Sequence, residues 1–332
     1  MLRFSALIPV HPALQLRWLA IHPPSAPVSH DTILDIGPVL IGTLISYLLM
    51  GTLIVQLYTY YMSFPDDRLV VKFTVYSVFV LDLVSTVAIT DSAWLILVLG
   101  WGRVEGLHIV DWGFTTAPLW SSLSSAIVQV FFGWRVWMLG CKHSINRSEK
   151  RLWKTMTALI FAVSMTQVVG AIVSTARFSP INDLAFISIV FPSTATWLSA
   201  SATADVMISV CMSVLLGRAI TRNRRDQVSY ITRKTDALLT RIIRNTIETA
   251  AITSGAAILE LILFLRLPNT GLHAAIARIL PKLYANTLLA SLNSRASFRR
   301  ELEEDSVWSL NPIEFRLDHG SVLDPTSPSL LT

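Results

Sequence analysis

The chain has 332 residues, 52% of them hydrophobic and only 15% charged, with a mean hydropathy of +0.55. An ordinary soluble domain carries roughly 25% charged residues, so a chain this poor in polar side chains cannot cover a water-facing surface. High apolar content also excludes disorder and collagen, and two cysteines, Cys141 and Cys211, exclude a disulfide-stapled scaffold. The composition is that of an all-α integral membrane protein of the multi-pass kind, with the lipid bilayer as its first partner.

Residues 1–33 read as a poorly ordered N-terminal extension. They hold Pro9, Pro12, Pro23, Pro24 and Pro27, and the apolar stretch Phe4–Val10 is too short to span. Seven apolar segments of spanning length follow: Pro38–Tyr61, Val71–Ser92, Phe114–Leu139, Trp153–Ala176, Phe186–Leu216, Ile242–Leu265 and Leu272–Asn293. Each approaches the ~20 residues that a helix needs to cross a ~30 Å hydrocarbon core. Pro38 suits a helix start, and Pro192 predicts a kink or the real start of the long fifth segment. The polar, acidic chain from Ser294, with Pro312, Pro325 and Pro328, predicts a disordered cytosolic tail over 297–332, leaving 34–296 as the membrane domain.

Lys and Arg alternate in density from one connection to the next. Arg68 and Lys72, then Lys142, Arg147, Lys150 and Arg151, then the run from Arg218 to Lys234, and finally Arg295, Arg299 and Arg300 fall on one side. Arg103, Arg177 and Arg266 fall on the other. The positive-inside rule therefore places the N-terminus outside and the C-terminus in the cytosol. It also explains the net charge of +5 without a nucleic-acid partner. Tryptophans mark the expected interfaces, Trp94, Trp101 and Trp112 outside and Trp134, Trp137 and Trp153 inside. The sequon Asn146-Arg147-Ser148 lies on the cytosolic side and is expected to be unmodified.

Ionisable groups at membrane depth cost roughly 2.5–3.5 kcal/mol each on insertion scales. Asp82, Asp205, Glu248, Glu260 and Lys282 are expected to face the bundle interior and, with the amide of Asn286, to form a candidate intramembrane polar network. Two readings stand side by side. The network lines a cavity for a small ligand or a proton path, or it is an interhelical ion-pair and hydrogen-bond set that fixes packing. Arg278 reads as a side chain snorkelling to the outer interface. A lysine in the last helix also raises a retinal Schiff base, but the third segment lacks an acidic counter-ion. Small residues Ala251 and Gly255, four apart, predict a close helix contact in the sixth segment. The basic stretch Arg218–Thr240 reads as a cytosolic loop able to meet anionic lipid or a cytosolic partner. No phosphate loop, dinucleotide fingerprint, zinc signature or nucleophile elbow occurs, so no catalytic residue, cofactor or metal is expected.

Several phrases carry a family resemblance. They include Phe64-Pro65-Asp66-Asp67-Arg68, Leu81-Asp82-Leu83, Gln129 to Trp137, Ala204-Asp205-Val206-Met207-Ile208, Ile243 to Thr249, and Lys282 to Arg295. Together they resemble the fungal (basidiomycete) multi-pass membrane proteins defined by domain of unknown function 6534, over residues 34–296. The chain departs from that pattern at Ala250, where Gly is expected after Glu248-Thr249. The resemblance implies a seven-helix bundle and a fungal source, without an activity. The resulting expectation is a receptor-like or sensor-like seven-transmembrane-helix bundle without intrinsic enzyme activity. The alternatives are a transporter or proton-coupled carrier using Asp82, Asp205 and Lys282, and, behind it, a retinal-binding or lipid-modifying protein. Gly133-Trp134-Arg135 in place of an acidic-Arg-Tyr triplet separates the chain from the common receptor class.

Overall fold

The computed structural model describes residues 30–99, 112–144, 146–179, 187–225, 230–267 and 270–317. Among the described residues there are seven α-helices and no strand. They are α1 (His30–Ser63), α2 (Leu69–Trp94, running into a π-helical turn at Leu95–Leu99), α3 (Trp112–His143), α4 (Arg147–Phe178), α5 (Ile187–Arg225), α6 (Tyr230–Arg266) and α7 (Leu272–Leu317).

The helices outrun their apolar segments at several ends. α1 starts at His30 and holds Pro38 in its interior, so Pro38 does not open it. Pro192 lies five residues into α5, inside the helix. The stretch expected as a long basic loop is helical up to Arg225 and again from Tyr230. Arginine is a strong helix former and propagates α5 beyond the apolar core. The side chains of residues 222–243 lie outside the described set, and so do Trp101 and Arg103. α7 runs on to Leu317 where composition alone predicts a disordered tail. The run Arg299-Arg300-Glu301-Leu302-Glu303-Glu304 consists of good helix formers and continues a helix already nucleated by packing.

Contacts fix the directions. Gly42 of α1 meets the backbone of Ala275, Thr52 meets Asn286, and Asn293 meets the Gln56 carbonyl, so α1 and α7 run parallel. Ser92 meets Arg278 and Asp82 meets Lys282, so α2 and α7 run antiparallel. The ends of α2, α4 and α6 and the starts of α3, α5 and α7 come together around one cavity. We call that the upper end. The turn between α1 and α2, the α3–α4 junction and the exit of α7 mark the lower end.

Among the described residues, six helices are long and apolar enough to cross a membrane: Ile36–Ser63, Leu69–Leu99, Trp112–Lys142, Arg147–Phe178, Val190–Arg218 and Ile247–Arg266. The expected seventh segment is a helix but misses that standard, because Arg278, Lys282, Asn286 and Asn293 lower its hydropathy. Burial supplies the reason. No residue from Gly271 to Ala296 is exposed, whereas α1 shows Leu44, Leu48, Val55 and Tyr58 and α2 shows Leu69, Val70 and Phe73 on its outer surface. α7 is the axis of the bundle, and its polar residues face other helices.

The main core packs Leu53, Val75, Phe132, Val136, Ile160, Met212, Leu288 and Leu289 toward the lower half. Two expectations about packing change. Ala251 and Gly255 lie on the exposed face of α6, and a Cβ on Gly255 would meet nothing within 4 Å. The buried small stripe is Ala250, Thr253, Ser254 and Ala257, offset by one helical step, and Ser254 bonds Ser209 of α5 at 2.8 Å. Trp153 is not an interfacial ring. It is buried beneath Gly140 and the Arg218 guanidinium.

Candidate functional site

Polar residues on α7 recur at Arg278, Lys282 and Asn286, one turn apart, and Tyr284 points to a neighbouring face. This spacing distributes them among three environments, stacked from the upper end downward.

The middle of the bundle holds two polar clusters. Lys282 Nζ donates to Asp82 Oδ1 at 2.8 Å, to the Asp82 carbonyl at 2.8 Å and to Thr86 Oγ1 at 2.7 Å. Three partners satisfy all three ammonium protons. Both charged side chains are 0% exposed. The other carboxylate oxygen, Asp82 Oδ2, has no hydrogen-bond partner among the described residues. Asn286 extends this cluster to α1: its amide donates to the Lys282 carbonyl at 2.7 Å and the Leu49 carbonyl at 3.0 Å, and Thr52 donates to its oxygen at 2.7 Å.

The second cluster centres on Asp205. Its Oδ1 accepts from Gln129 Nε2 at 2.9 Å and its Oδ2 accepts from the Tyr284 hydroxyl. Gln129 Oε1 in turn accepts from Ser164 at 2.9 Å and Gln167 at 2.7 Å. Four helices, α3, α4, α5 and α7, are thereby joined by one set of buried hydrogen bonds. Asp205 makes no ion pair among the described residues, so Lys282 serves Asp82 alone. The sequence reading missed Gln129, Gln167, Ser164 and Tyr284 as members because it searched for charge. A glutamine amide inside an apolar span was the available signal, since it too must be satisfied there.

Above these clusters lies a cavity of about 110 Å³ at the upper end. For scale, an apolar cavity of about 150 Å³ holds benzene. Phe114, Phe178, Trp197 and Phe264 make its walls largely aromatic, and Ser85 and Ser121 add hydroxyls. Glu260 lines it, is 2% exposed, and makes no hydrogen bond or ion pair with any described residue. Arg278 lines it as well. It does not snorkel outward: it is 7% exposed and donates to the Ala274 carbonyl at 3.1 Å and to Ser92 at 3.4 Å. Pro281, next in line on α7, gives up its backbone N–H at the cavity floor. His273 closes the rim, its ring edge-on to Phe264 at 5.4 Å.

The remaining candidate, Glu248, stands apart from all three environments. It is exposed and pairs with Arg244 at 2.9 Å on its own helix. The four-residue spacing places the two on one face, and that face looks outward.

At the lower end, Arg295 Nη2 meets Asp67 Oδ2 at 2.8 Å and stacks its guanidinium 4.6 Å over Phe64. Tyr60 donates to the same carboxylate at 3.1 Å. Burial pushes the Asp67 carboxyl up, but the hydrogen bonds and charge of Arg295, with the Tyr60 hydroxyl, outweigh it and hold the group below the ordinary aspartate value. Arg135 of α3 donates to Ser291, also on α7. Three phrases far apart in sequence (64–68, 129–137 and 282–295) thus meet where α7 leaves the bundle.

No curated protein and no solved structure matches the chain significantly. The stretch 201–297 carries Asp205, Glu260, Arg278, Lys282, Asn286 and Arg295, which reach all three polar environments and the lower clamp. Residues 201–297 match the model of a family of unknown function (DUF6534), the family that the sequence phrases resemble.

Proposed function

We propose that the protein is a seven-helix, receptor-like membrane sensor without enzyme activity of its own. Its upper end faces the outside or the lumen, its lower end faces the cytosol, and the upper cavity is its ligand site. One observation carries the reading: Glu260, a buried carboxyl with no hydrogen-bond or ion-pair partner among the described residues, lines a cavity above the Asp82–Lys282 and Asp205 clusters. Leaving a buried carboxyl without a hydrogen-bond partner is costly, and a ligand bearing a donor removes that cost. The orientation rests on basic residues gathered at the lower end, among them Arg68, Lys72, Lys142, Lys150, Arg151 and Arg295.

The carrier alternative requires Asp82, Asp205 and Lys282 to line a path. Their side chains are instead occupied by one another and by neighbouring helices, which favours a signalling role in which ligand binding shifts the α7 axis relative to its partners. Proteoliposomes loaded with a pH-sensitive dye give the test. Under an imposed proton gradient, the sensor reading predicts no proton influx above protein-free vesicles. Influx that a Lys282→Met variant abolishes would establish the carrier instead.

A further inference from the structure

The upper cavity is mostly apolar. Phe178 of α4, Trp197 of α5 and Phe264 of α6 supply aromatic surface, while Ser85 of α2 and Ser121 of α3 supply hydroxyls. Glu260 of α6 adds a carboxyl that is 2% exposed and makes no hydrogen bond or ion pair with any described residue. Arg278 on the same wall is already held by the Ala274 carbonyl and Ser92 and is assigned no ligand atom. An ionic partner for Glu260 would have to be stripped of its water, and in a buried site that cost can exceed the gain from pairing. A hydroxyl avoids it. It donates to a carboxylate and accepts from a carboxylic acid, so it satisfies Glu260 in either protonation state. The aromatic walls then require a hydrocarbon body behind that single polar group. Volume sets its size. At about 110 Å³ the cavity is smaller than the roughly 150 Å³ space that holds benzene, which leaves room for a short branched chain or one small ring.

From this juxtaposition we infer that the upper cavity binds a small uncharged alcohol of roughly four to six carbons. Its hydroxyl meets the Glu260 carboxyl, and its hydrocarbon body lies against Trp197, Phe264 and Phe178. Ser85 and Ser121 offer hydroxyls for the remaining bond of the ligand oxygen. A molecule of this kind also dissolves in both water and lipid, so it reaches a site at the upper end of the bundle from either phase. The inference rests on the reading of the cavity as a ligand site and adds the chemistry of its occupant.

The test uses the full-length protein in lipid nanodiscs, with empty nanodiscs subtracted to remove partition into the bilayer. The probes are straight-chain and cyclic alcohols from ethanol to octanol, with phenol, and the hydrocarbons and primary amines of the same skeletons. Bound probe is measured by ligand-observed nuclear magnetic resonance. Affinity should pass through a maximum at about four to six carbons, where the cavity is full. The best alcohol should bind on the order of tenfold more tightly than its hydrocarbon, the worth of one hydrogen bond to a buried carboxyl, and more tightly than its amine. Glu260→Met should bring the alcohol-to-hydrocarbon ratio near one while the hydrocarbon still binds, and Glu260→Gln, which keeps an acceptor, should retain part of the preference. Glu260→Met removes a buried carboxyl without a described partner, so it should fold at least as well as wild type. Should it fail to give a monodisperse protein, the size maximum and the alcohol-to-hydrocarbon ratio of the wild type decide alone. The proposal is overturned if no alcohol binds, if affinity climbs through octanol without a maximum, if the amine binds as tightly as the alcohol, or if Glu260→Met keeps the preference. Binding of an amine that depends on Glu260, without binding of alcohols, removes the alcohol and leaves the ligand site standing. Absence of binding by every probe overturns the alcohol, and a Ser121→Cys thiol unreactive from the upper side would remove the ligand site with it.

Discussion

Lys282 is the residue on which the interior turns. Its ammonium is fully buried and has three protein partners, two of them contributed by Asp82. Removing one member of a buried pair leaves the other charge uncompensated, which costs about 3–5 kcal/mol. Lys282→Met and Asp82→Asn should each lower the unfolding midpoint in detergent. The double variant should be less destabilised than the two losses summed, since it removes both charges together. Strict additivity would show that the two side chains do not interact. At the lower end, the sign of the pH dependence follows from Asp67. A carboxyl held low in the fold contributes stability that is present above the unfolded value of about 3.9 and lost as pH falls through its lower folded value. Wild type should therefore lose stability on acidification into that range, and Asp67→Asn should lack that component. Equal acid sensitivity in both proteins would remove the Asp67–Arg295 pair as its source.

Among the elements, α1 and α7 show how a parallel helix pair is brought together. A Cβ built on Gly42 would lie 2.8 Å from the Ala275 Cα and 2.9 Å from its carbonyl oxygen. Backbone cannot yield as a flexible side chain can, so the glycine permits this approach. Gly51, nine residues along the same helix, has nothing within 4 Å. Gly42→Val should destabilise by roughly 1–3 kcal/mol, the ordinary cost of overpacking, while Gly51→Val should be close to neutral. Thermal unfolding of the pair checks this, and equal effects would rule out the close approach. The same elements show where sequence patterns run out. Hydropathy located all seven helices, since spanning-length apolar runs have few alternative explanations. It could not reveal that α7 is central, because an axial helix and a marginal span both read as apolar segments interrupted by charge. Periodicity also left open which small stripe of α6 is buried. Ala251 and Gly255 satisfy the spacing as well as Ala250 and Ser254 do, and only the neighbouring α5 distinguishes them.

For the molecule as a whole, charge at membrane depth was legible as interior, but its partition was not. Asp82, Lys282 and Asn286 form one cluster, Asp205 joins uncharged partners, and Glu260 faces a cavity with Arg278. Which carboxyl meets which cation depends on how the other six helices pack with α7, information that a one-dimensional pattern does not hold. Glu248 shows the converse, because depth along a helix says nothing about which face it presents. A functional division follows from the partition. The upper third holds the cavity, the middle joins Asp82 to Lys282 and Asp205 to Gln129 and Tyr284, and the lower end is clamped to α7 through Arg295 and Arg135. In the proposed sensor, ligand entry at the upper end acts on the lower end through α7 without a continuous aqueous path.

That division can be measured directly by cysteine accessibility in sealed vesicles of known sidedness, after Cys141 and Cys211 are replaced by serine or alanine. Ser121→Cys places a thiol on the cavity wall, and Ser201→Cys places one beside the Asp205 cluster. With a small membrane-impermeant methanethiosulfonate, Ser121→Cys should be modified from the upper side only, and Ser201→Cys from neither side. Modification of Ser201→Cys from both sides would reveal a continuous path through the bundle and contradict a one-ended ligand site.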